Sequence, residues 1–85
     1  MKKENVQNAP EKKFRAGAVS VTVWKNIGNG SKGEEVEYST ISIERNYLDQ
    51  KGEWQTTNSF RVNDLPRATI ALQKAYEHLV LRSQD

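Results

Sequence analysis

Alternating apolar and polar positions run through the middle of the chain and predict β-strands. The run Ala18–Trp24 places its three valines on one face and polar or aromatic residues on the other, which is the period-two pattern of a half-buried strand. Similar alternation predicts a second strand over about residues 35–47 and a third over about 54–62. A glycine-rich loop at residues 26–33 and a turn at 49–52 separate the three strands.

The last third of the chain changes to a helical period. Asn63 or Asp64 can supply a capping oxygen, and Pro66 is tolerated in the first turn of a helix. Apolar residues then recur every three or four positions as far as Leu81 and form one stripe, which comprises Leu65, Ala68, Leu72, Ala75, Tyr76 and Leu79. We therefore predict an α+β domain over residues 14–82, in which a three- or four-stranded antiparallel sheet is followed by one C-terminal helix packed on one face.

The turn between the second and third strands decides which side chains face the helix. We expect Leu48 to face Glu53 across a four-residue turn, because this register places Trp54 and Phe60 on the helix-covered face. A shift of one residue would bury Arg61 instead. The opposite face is then rich in hydroxyl groups and carries Ser20, Thr22, Trp24, Tyr38, Thr40, Ser42, Thr57, Ser59 and Arg61.

Charge and composition limit the class of protein. Residues 1–15 contain five basic and two acidic side chains, whereas the whole chain has a net charge of only +2. Residues 1–13 lack apolar periodicity, so we expect a disordered basic N-terminal arm there and a frayed end at residues 83–85. There is no cysteine, and no apolar run or secretory signal pattern is present, so we expect a cytoplasmic protein that does not enter a membrane.

No group of residues predicts catalysis or metal binding. His78 has no second histidine or cysteine beside it, and a lone histidine late in a helix is typical of a protein surface. The carboxylates Glu34, Glu35 and Glu37 indicate a solvated acidic patch. The glycine-rich loop lacks the Gly-Lys-Ser/Thr order and precedes a strand, so it predicts a hairpin loop. We expect neither enzymatic activity nor a metal or other cofactor.

The predicted open face suggests binding to single-stranded DNA or RNA. Aromatic rings such as Trp24, which we expect to face Tyr38, stack on bases, while hydroxyl groups and Arg61 bind phosphates. Two alternatives remain: a plain solvated face, and a protein-interaction or regulatory module that uses an exposed strand edge or the helix surface around Ile70 and Leu81. Only 35% of the chain is apolar, so a thin core and unpaired sheet edges predict a homodimer.

Strand hairpins that run into Phe60–Pro66, followed by one long C-terminal helix, resemble the single-stranded-DNA-binding fold of positive cofactor four and the Whirly proteins. That resemblance implies a dimer formed through the helix and binding of single strands on curved sheet surfaces, as in an accessory factor of transcription or replication. The family has four strands before its helix, and a short strand around Phe14–Gly17 would supply the fourth. By role, the matching positions are Trp24, Tyr38, Tyr47 and Trp54 for base stacking and Lys25, Arg45 and Arg61 for phosphates.

Overall fold

The computed structural model describes residues 8–81, which form four strands and one helix. The strands make a single antiparallel meander in the order β1-β2-β3-β4. The prediction of an α+β fold with a C-terminal helix is confirmed, and the sheet has four strands. The elements are β1 (Asn8–Ala16), β2 (Val19–Asn29), β3 (Glu35–Leu48), β4 (Trp54–Thr57), a 3-10 turn (Val62–Asp64) and α1 (Leu65–Leu81).

Strand β1 occupies much of the predicted N-terminal arm. The expectation of disorder is wrong for residues 8–13, which pair with β2, while residues 1–7 and the predicted frayed end lie outside the described residues. A bulge between Pro10 and Lys12 interrupts the strand, so its apolar alternation is too short to recognise. Proline, lysine and bulges are common on edge strands, where they discourage pairing with other chains.

Helix α1 packs on β1 and β2 through a core of small residues. Val21, Val23, Ala71 and Ala75 form the central cluster. Because alanine has a short side chain, the helix backbone can approach the strands closely. The buried hydrophobic residues of the whole core are Val19, Val21, Val23, Ala68, Ala71 and Ala75. The partly buried hydrophobic residues that pack against the central cluster are Phe14, Ala16, Ile43 and Leu79.

Half of the predicted apolar stripe of the helix is not buried. Leu65, Leu72 and Tyr76 are 56%, 42% and 63% exposed. The stripe predicted from spacing alone is centred on the leucines, whereas the contact with the sheet is centred on Ala71 and Ala75. The large side chains of the stripe therefore form an exposed flank of the helix.

The hairpin between β3 and β4 differs from the predicted register by one residue. Leu48 pairs with Trp54, so five residues separate the paired ends instead of four. The Asp49 carboxylate accepts a hydrogen bond of 2.9 Å from the backbone N–H of Glu53, and Gly52 adopts a φ of 81°, which favours glycine. These turn contacts set the register, and a one-residue change turns every β4 side chain to the opposite face.

The changed register moves several residues from their predicted positions. Trp54 lies on the face away from the helix, whereas Thr57, opposite Arg45, lies on the helix side. Strand β4 ends at Thr57, so Ser59, Phe60 and Arg61 follow the sheet and belong to neither of its faces. Phe60 is only half-buried and lies outside the core cluster, contrary to prediction.

The hairpin between β2 and β3 keeps its predicted faces with a different pairing. Trp24 lies opposite Thr40, and Tyr38 lies opposite Asn26. The expected pairing of Trp24 with Tyr38 is therefore wrong by two residues. A shift of two preserves the face of every side chain. On its other edge, β3 is much longer than its partner β4. Strand β4 pairs only with the last four residues of β3, 45–48.

A buried carboxylate, Asp64, joins the sheet to the start of the helix. Its Oδ2 accepts a hydrogen bond of 2.8 Å from the backbone N–H of Arg61. The same oxygen lies 3.3 Å from Nε of Arg45 on β3 and 3.7 Å from Nε of Arg61. Asp64 lies immediately before α1, where a capping residue is predicted, but its carboxylate bonds to the preceding Arg61 N–H and to an arginine of the sheet.

Candidate nucleic-acid interface

The sheet face opposite α1, here called the open face, carries side chains from all four strands. Residues directly opposite each other in antiparallel strands point to the same side of the sheet, so the pairing assigns each side chain to a face. The described open face includes Lys13, Arg15, Ser20, Thr22, Trp24, Asn26, Tyr38, Thr40, Ser42, Glu44, Asn46, Trp54 and Thr56.

Strand β1 brings two cations to the open face. Lys13 lies opposite Thr22, and Arg15 lies opposite Ser20; both cations are exposed. Glu44 is the one carboxylate that the strands place on this face within residues 8–81. Sequence reasoning missed both cations as site residues. The signal that could have found them is the alternation of cations and apolar residues along residues 13–16.

Two aromatic rings lie at one end of the open face. The indole Nε1 of Trp24 donates a hydrogen bond of 2.9 Å to the Ser42 hydroxyl on the neighbouring strand. Next to it, Nδ2 of Asn26 donates a hydrogen bond of 2.9 Å to the Thr40 hydroxyl. Tyr38 is 52% exposed. The bond to Ser42 fixes the orientation of the Trp24 ring on this face.

A third ring, Trp54, lies at the other end and is 70% exposed. On β3, Thr40 is the partner of Trp24 and Leu48 is the partner of Trp54, and the two partners are eight positions apart. At a rise of 3.3 Å per residue the distance is about 26 Å along the strand. Aromatic rings therefore stand at both ends of a long polar surface.

The hydroxyl-rich surface is narrower than the sequence predicts. Ser20 and Thr22 point to the open face, but they are only 1% and 5% exposed, because β2 is central and longer side chains flank it on both sides. The Ser20 hydroxyl is buried and has no hydrogen-bond partner within residues 8–81. Exposed hydroxyl groups remain at Thr40 and Ser42.

Three of the seven predicted site residues lie on the helix side of the sheet. Lys25 and Tyr47 occupy odd positions there. Arg45 has only 14% of its side chain exposed, donates a hydrogen bond of 3.0 Å to the Ser59 carbonyl and pairs with Asp64. Its guanidinium also lies 5.7 Å from the centre of the Tyr47 ring. The geometry makes Arg45 a structural residue.

Arg61 has 72% of its side chain exposed, but it follows β4 and its guanidinium faces Asp64. From the predicted set, the structure therefore places Trp24, Tyr38 and Trp54 on the same face of the sheet, with Trp54 at the opposite end, and it separates Arg61 and the three residues of the helix side from them.

His78 connects the helix to β1. Its Nε2 lies 2.9 Å from Oε2 of Glu11, and its ring packs edge-on against Phe14 with a centroid distance of 5.9 Å. Its side chain is 26% exposed, so it is not the surface histidine that the sequence predicts. Within residues 8–81, no group of three or more histidine, cysteine, aspartate or glutamate side chains could hold a metal ion.

The turn that presents Trp54 is held by the Asp49 carboxylate. Hydrogen bonds from the backbone N–H of Glu53 and then from the Gln55 amide lower the pKa of Asp49 below 3.8. The Gln55 amide lies 3.0 Å from Oδ2 of Asp49. An ionised Asp49 therefore fixes the turn immediately before the exposed tryptophan.

Comparison with known proteins gives no relative. No protein-family model matches the chain, and no match is found among curated proteins or solved structures. In the part of the chain that the structure describes, no helix is long and apolar enough to cross a membrane.

Proposed function

We propose that this protein is a non-catalytic single-stranded nucleic-acid-binding protein that uses the open face. The observation that supports the proposal is the position of Lys13 and Arg15, which share this face with Trp24, Tyr38 and Trp54. Cations neutralise phosphates and release counterions, while exposed aromatic rings stack on unpaired bases. The open face offers both along one surface.

Single strands fit this surface better than a duplex. Stacking on a protein ring requires an unpaired base, because paired bases already stack on their neighbours. The open face also lacks a helix, within residues 8–81, that could enter a major groove. Unpaired DNA and RNA both satisfy these conditions. The resemblance to positive cofactor four and the Whirly proteins implies the same activity. We also propose a cytoplasmic role in transcription or replication.

The test is a salt titration with fluorescently labelled single-stranded DNA and RNA. We expect affinity to fall steeply with salt, and Lys13→Ala to reduce the slope of log K against log salt by about 0.7, the value for one phosphate contact on a single strand. Lys25→Ala is the matched control, because it removes the same charge from the other face of the sheet. Equal effects of the two variants, or an affinity no tighter than roughly millimolar at low salt, would contradict the proposal.

We further propose that the active form is a homodimer in which a second copy covers the exposed flank of α1. Successive helix residues are about 100° apart, so Tyr76 and His78 lie on opposite sides of the buried Ala75. Since His78 contacts β1, the Tyr76 flank is turned toward β3. On that side of the sheet Ile41 is 43% exposed, so the helix flank and β3 both expose apolar side chains there.

The small core favours a second copy as the occupant. Three of its six buried hydrophobic residues are alanines, and chains of this size bury only about 60–65% of their unfolded surface. Two-fold symmetry would place the same apolar surface of each copy against the other. Burial of Leu72 and Tyr76 from both copies would enlarge the core without any new partner.

Analytical ultracentrifugation tests this arrangement. The wild-type chain is expected to sediment as a dimer, Tyr76→Glu as a monomer, and Ile70→Glu as a dimer. Ile70 is a matched control because it is 58% exposed and lies on the helix surface away from the Tyr76 flank. A wild-type mass of 9.7 kDa at all concentrations would rule out the dimer. Loss of the dimer only in Ile70→Glu would favour the Ile70 and Leu81 surface as a protein-interaction site.

A further inference from the structure

A cleft of about 510 Å³ opens beside Trp54, where the β1–β2 turn approaches β3 and β4. Arg15, Asn46, Trp54, Gln55 and Thr56 line it. Its volume lies in the range of small-ligand sites. It contains one broad aromatic surface, one guanidinium group, and amide and hydroxyl groups within a single concave region.

Most polar groups of this cleft are free to bind a ligand, although Nε of Arg15 donates a hydrogen bond of 3.3 Å to the Gly17 carbonyl and leaves only the other guanidinium N–H groups available. At the other end of the open face, the indole N–H of Trp24 is already bonded to Ser42 and the Asn26 amide to Thr40. By contrast, no hydrogen bond within residues 8–81 involves the Trp54 indole N–H or the side chains of Asn46 and Thr56. Among the amides of the cleft, Gln55 alone is engaged, since it donates to Asp49.

We propose that this cleft binds one unpaired adenine nucleotide. The inference rests on the proposed function, because we take the nucleotide to be one unit of a bound single strand. The Trp54 ring supplies a stacking surface. The Asn46 amide presents a donor and an acceptor side by side, which matches the N6 donor and N7 acceptor of adenine. The Arg15 guanidinium stands at the cleft wall, where a phosphate can bind.

The chain contains only two tryptophans, Trp24 and Trp54, so each can be made the sole indole fluorophore. In Trp24→Phe, we expect quenching of Trp54 fluorescence by oligothymidylate that carries a single adenine, and less quenching by oligothymidylate alone. Trp54→Ala should weaken binding of the adenine-containing strand by roughly 5- to 150-fold, the effect of one stacked base. Unchanged thermal unfolding of both variants would show that the fold is intact.

A change of base preference is the sharper readout. Asn46→Asp replaces the paired donor and acceptor at position 46 with acceptors only, and carboxylates accept from the cytosine amino group. We therefore expect the preference for adenine over cytosine to fall by about 5- to 150-fold. Asn26→Asp is the matched control, because it adds the same negative charge to the open face. It should weaken binding of both bases alike and leave the preference unchanged.

Three outcomes separate this inference from the proposed function. If oligonucleotides bind but Trp54 fluorescence and base preference do not respond, the cleft inference is wrong and the proposed function stands. If oligonucleotides do not bind but free adenosine monophosphate quenches Trp54, the proposed function is wrong and the cleft takes free nucleotides. If neither ligand affects Trp54, the cleft is not a nucleotide site.

Discussion

The two halves of the sheet are packed differently on the side that carries the helix. In the β1–β2 half, Val19, Val21 and Val23 are completely buried. In the β3–β4 half, Ile41 and Tyr47 point to the same side but are 43% and 38% exposed. Both halves have apolar residues at alternate positions, so alternation defines the face of a side chain, and the position of the helix decides whether it is buried.

The alanines of the helix explain why it lies over the β1–β2 half of the sheet. Ala71 and Ala75 pack against Val21 and Val23, where their short side chains allow the helix to lie close to β2. A helix that rested on Leu72 instead would stand farther from the sheet and be turned toward β3. Because protein interiors are closely packed, contact through the alanines is the favourable arrangement for a single copy of the chain. In this position the helix leaves the β3–β4 half of the sheet uncovered.

Loss of the ion pair that joins β3 to the start of the helix should have the largest effect. Asp64→Ala removes the carboxylate that binds Arg45 of β3 at the start of the helix and leaves the largely buried Arg45 guanidinium without this counter-charge, with the Ser59 carbonyl as a remaining hydrogen-bond partner. We expect the free energy of unfolding in urea to fall by about 3–5 kcal/mol. Arg61→Ala, which removes an exposed partner of the same carboxylate, should cost no more than about 1 kcal/mol. Similar values for the two variants would show that Asp64 is not a structural link.

Truncation in each half tests the packing difference directly. Val21→Ala should lower the free energy of unfolding by about 2–3 kcal/mol, because it creates a cavity beneath the helix. Ile41→Ala should cost less than about 1 kcal/mol at low protein concentration, because its side chain is partly solvated. If a second copy covers Ile41, the loss of unfolding free energy in Ile41→Ala should grow as the protein concentration rises. A larger loss from Ile41→Ala than from Val21→Ala at low concentration would invert the comparison.

Enlarging an alanine of the contact tests how close the helix lies. Ala71→Leu adds volume to a site that is 2% exposed, and we expect a loss of about 1–3 kcal/mol in thermal or urea unfolding. Gln73→Leu, an apolar change of the same helix on its exposed surface, should change stability by less than about 0.5 kcal/mol. A stable Ala71→Leu variant would mean that the helix can move away from β2 without cost.

The smallest effect is expected at the β3–β4 turn, in acid. Hydrogen bonds from Glu53 and Gln55 to Asp49 lower its pKa below 3.8, so the ionised form is favoured in the folded hairpin. The associated stability is complete above pH 3.8 and is lost as the pH falls through the lower pKa of the folded state. Carboxyl NMR titration should show this low pKa, and the Trp54 indole signal should move with it. An Asp49 pKa at or above 3.8 would contradict this account of the turn.

The sequence predicts the parts of the fold in which apolar alternation is long. In the β2–β3 hairpin the faces of Val21 and Ile41 follow from alternation, even though the pairing differs by two residues. In the β3–β4 hairpin only four pairs form, so the turn contacts of Asp49 and Gly52 outweigh the apolar pattern. The face of Trp54 depends on that turn, and alternation alone could not reveal it.

The candidate site was predicted in part for the same reason. Trp24 and Tyr38 lie on the long hairpin, and their shared face follows from spacing. Lys13 and Arg15 lie on an edge strand whose bulge and lysines interrupt the apolar alternation, so the sequence shows their charge but not their position on the open face. Arg45 has the residue type of a phosphate contact, but its pairing with Asp64 depends on the tertiary fold and leaves no trace in local sequence.

The short length of β4 has a consequence for the behaviour of the protein in concentrated solution. Residues 35–44 of β3 have no partner strand on their outer edge within residues 8–81. The uncharged run Tyr38–Ile43 on that edge has the composition of a segment that can template aggregation. Glu37 and Glu44 bracket the run and act as gatekeeper charges. Replacing either glutamate with an uncharged residue would lengthen the exposed template, so its first effect would be on solubility, before any change in folding stability.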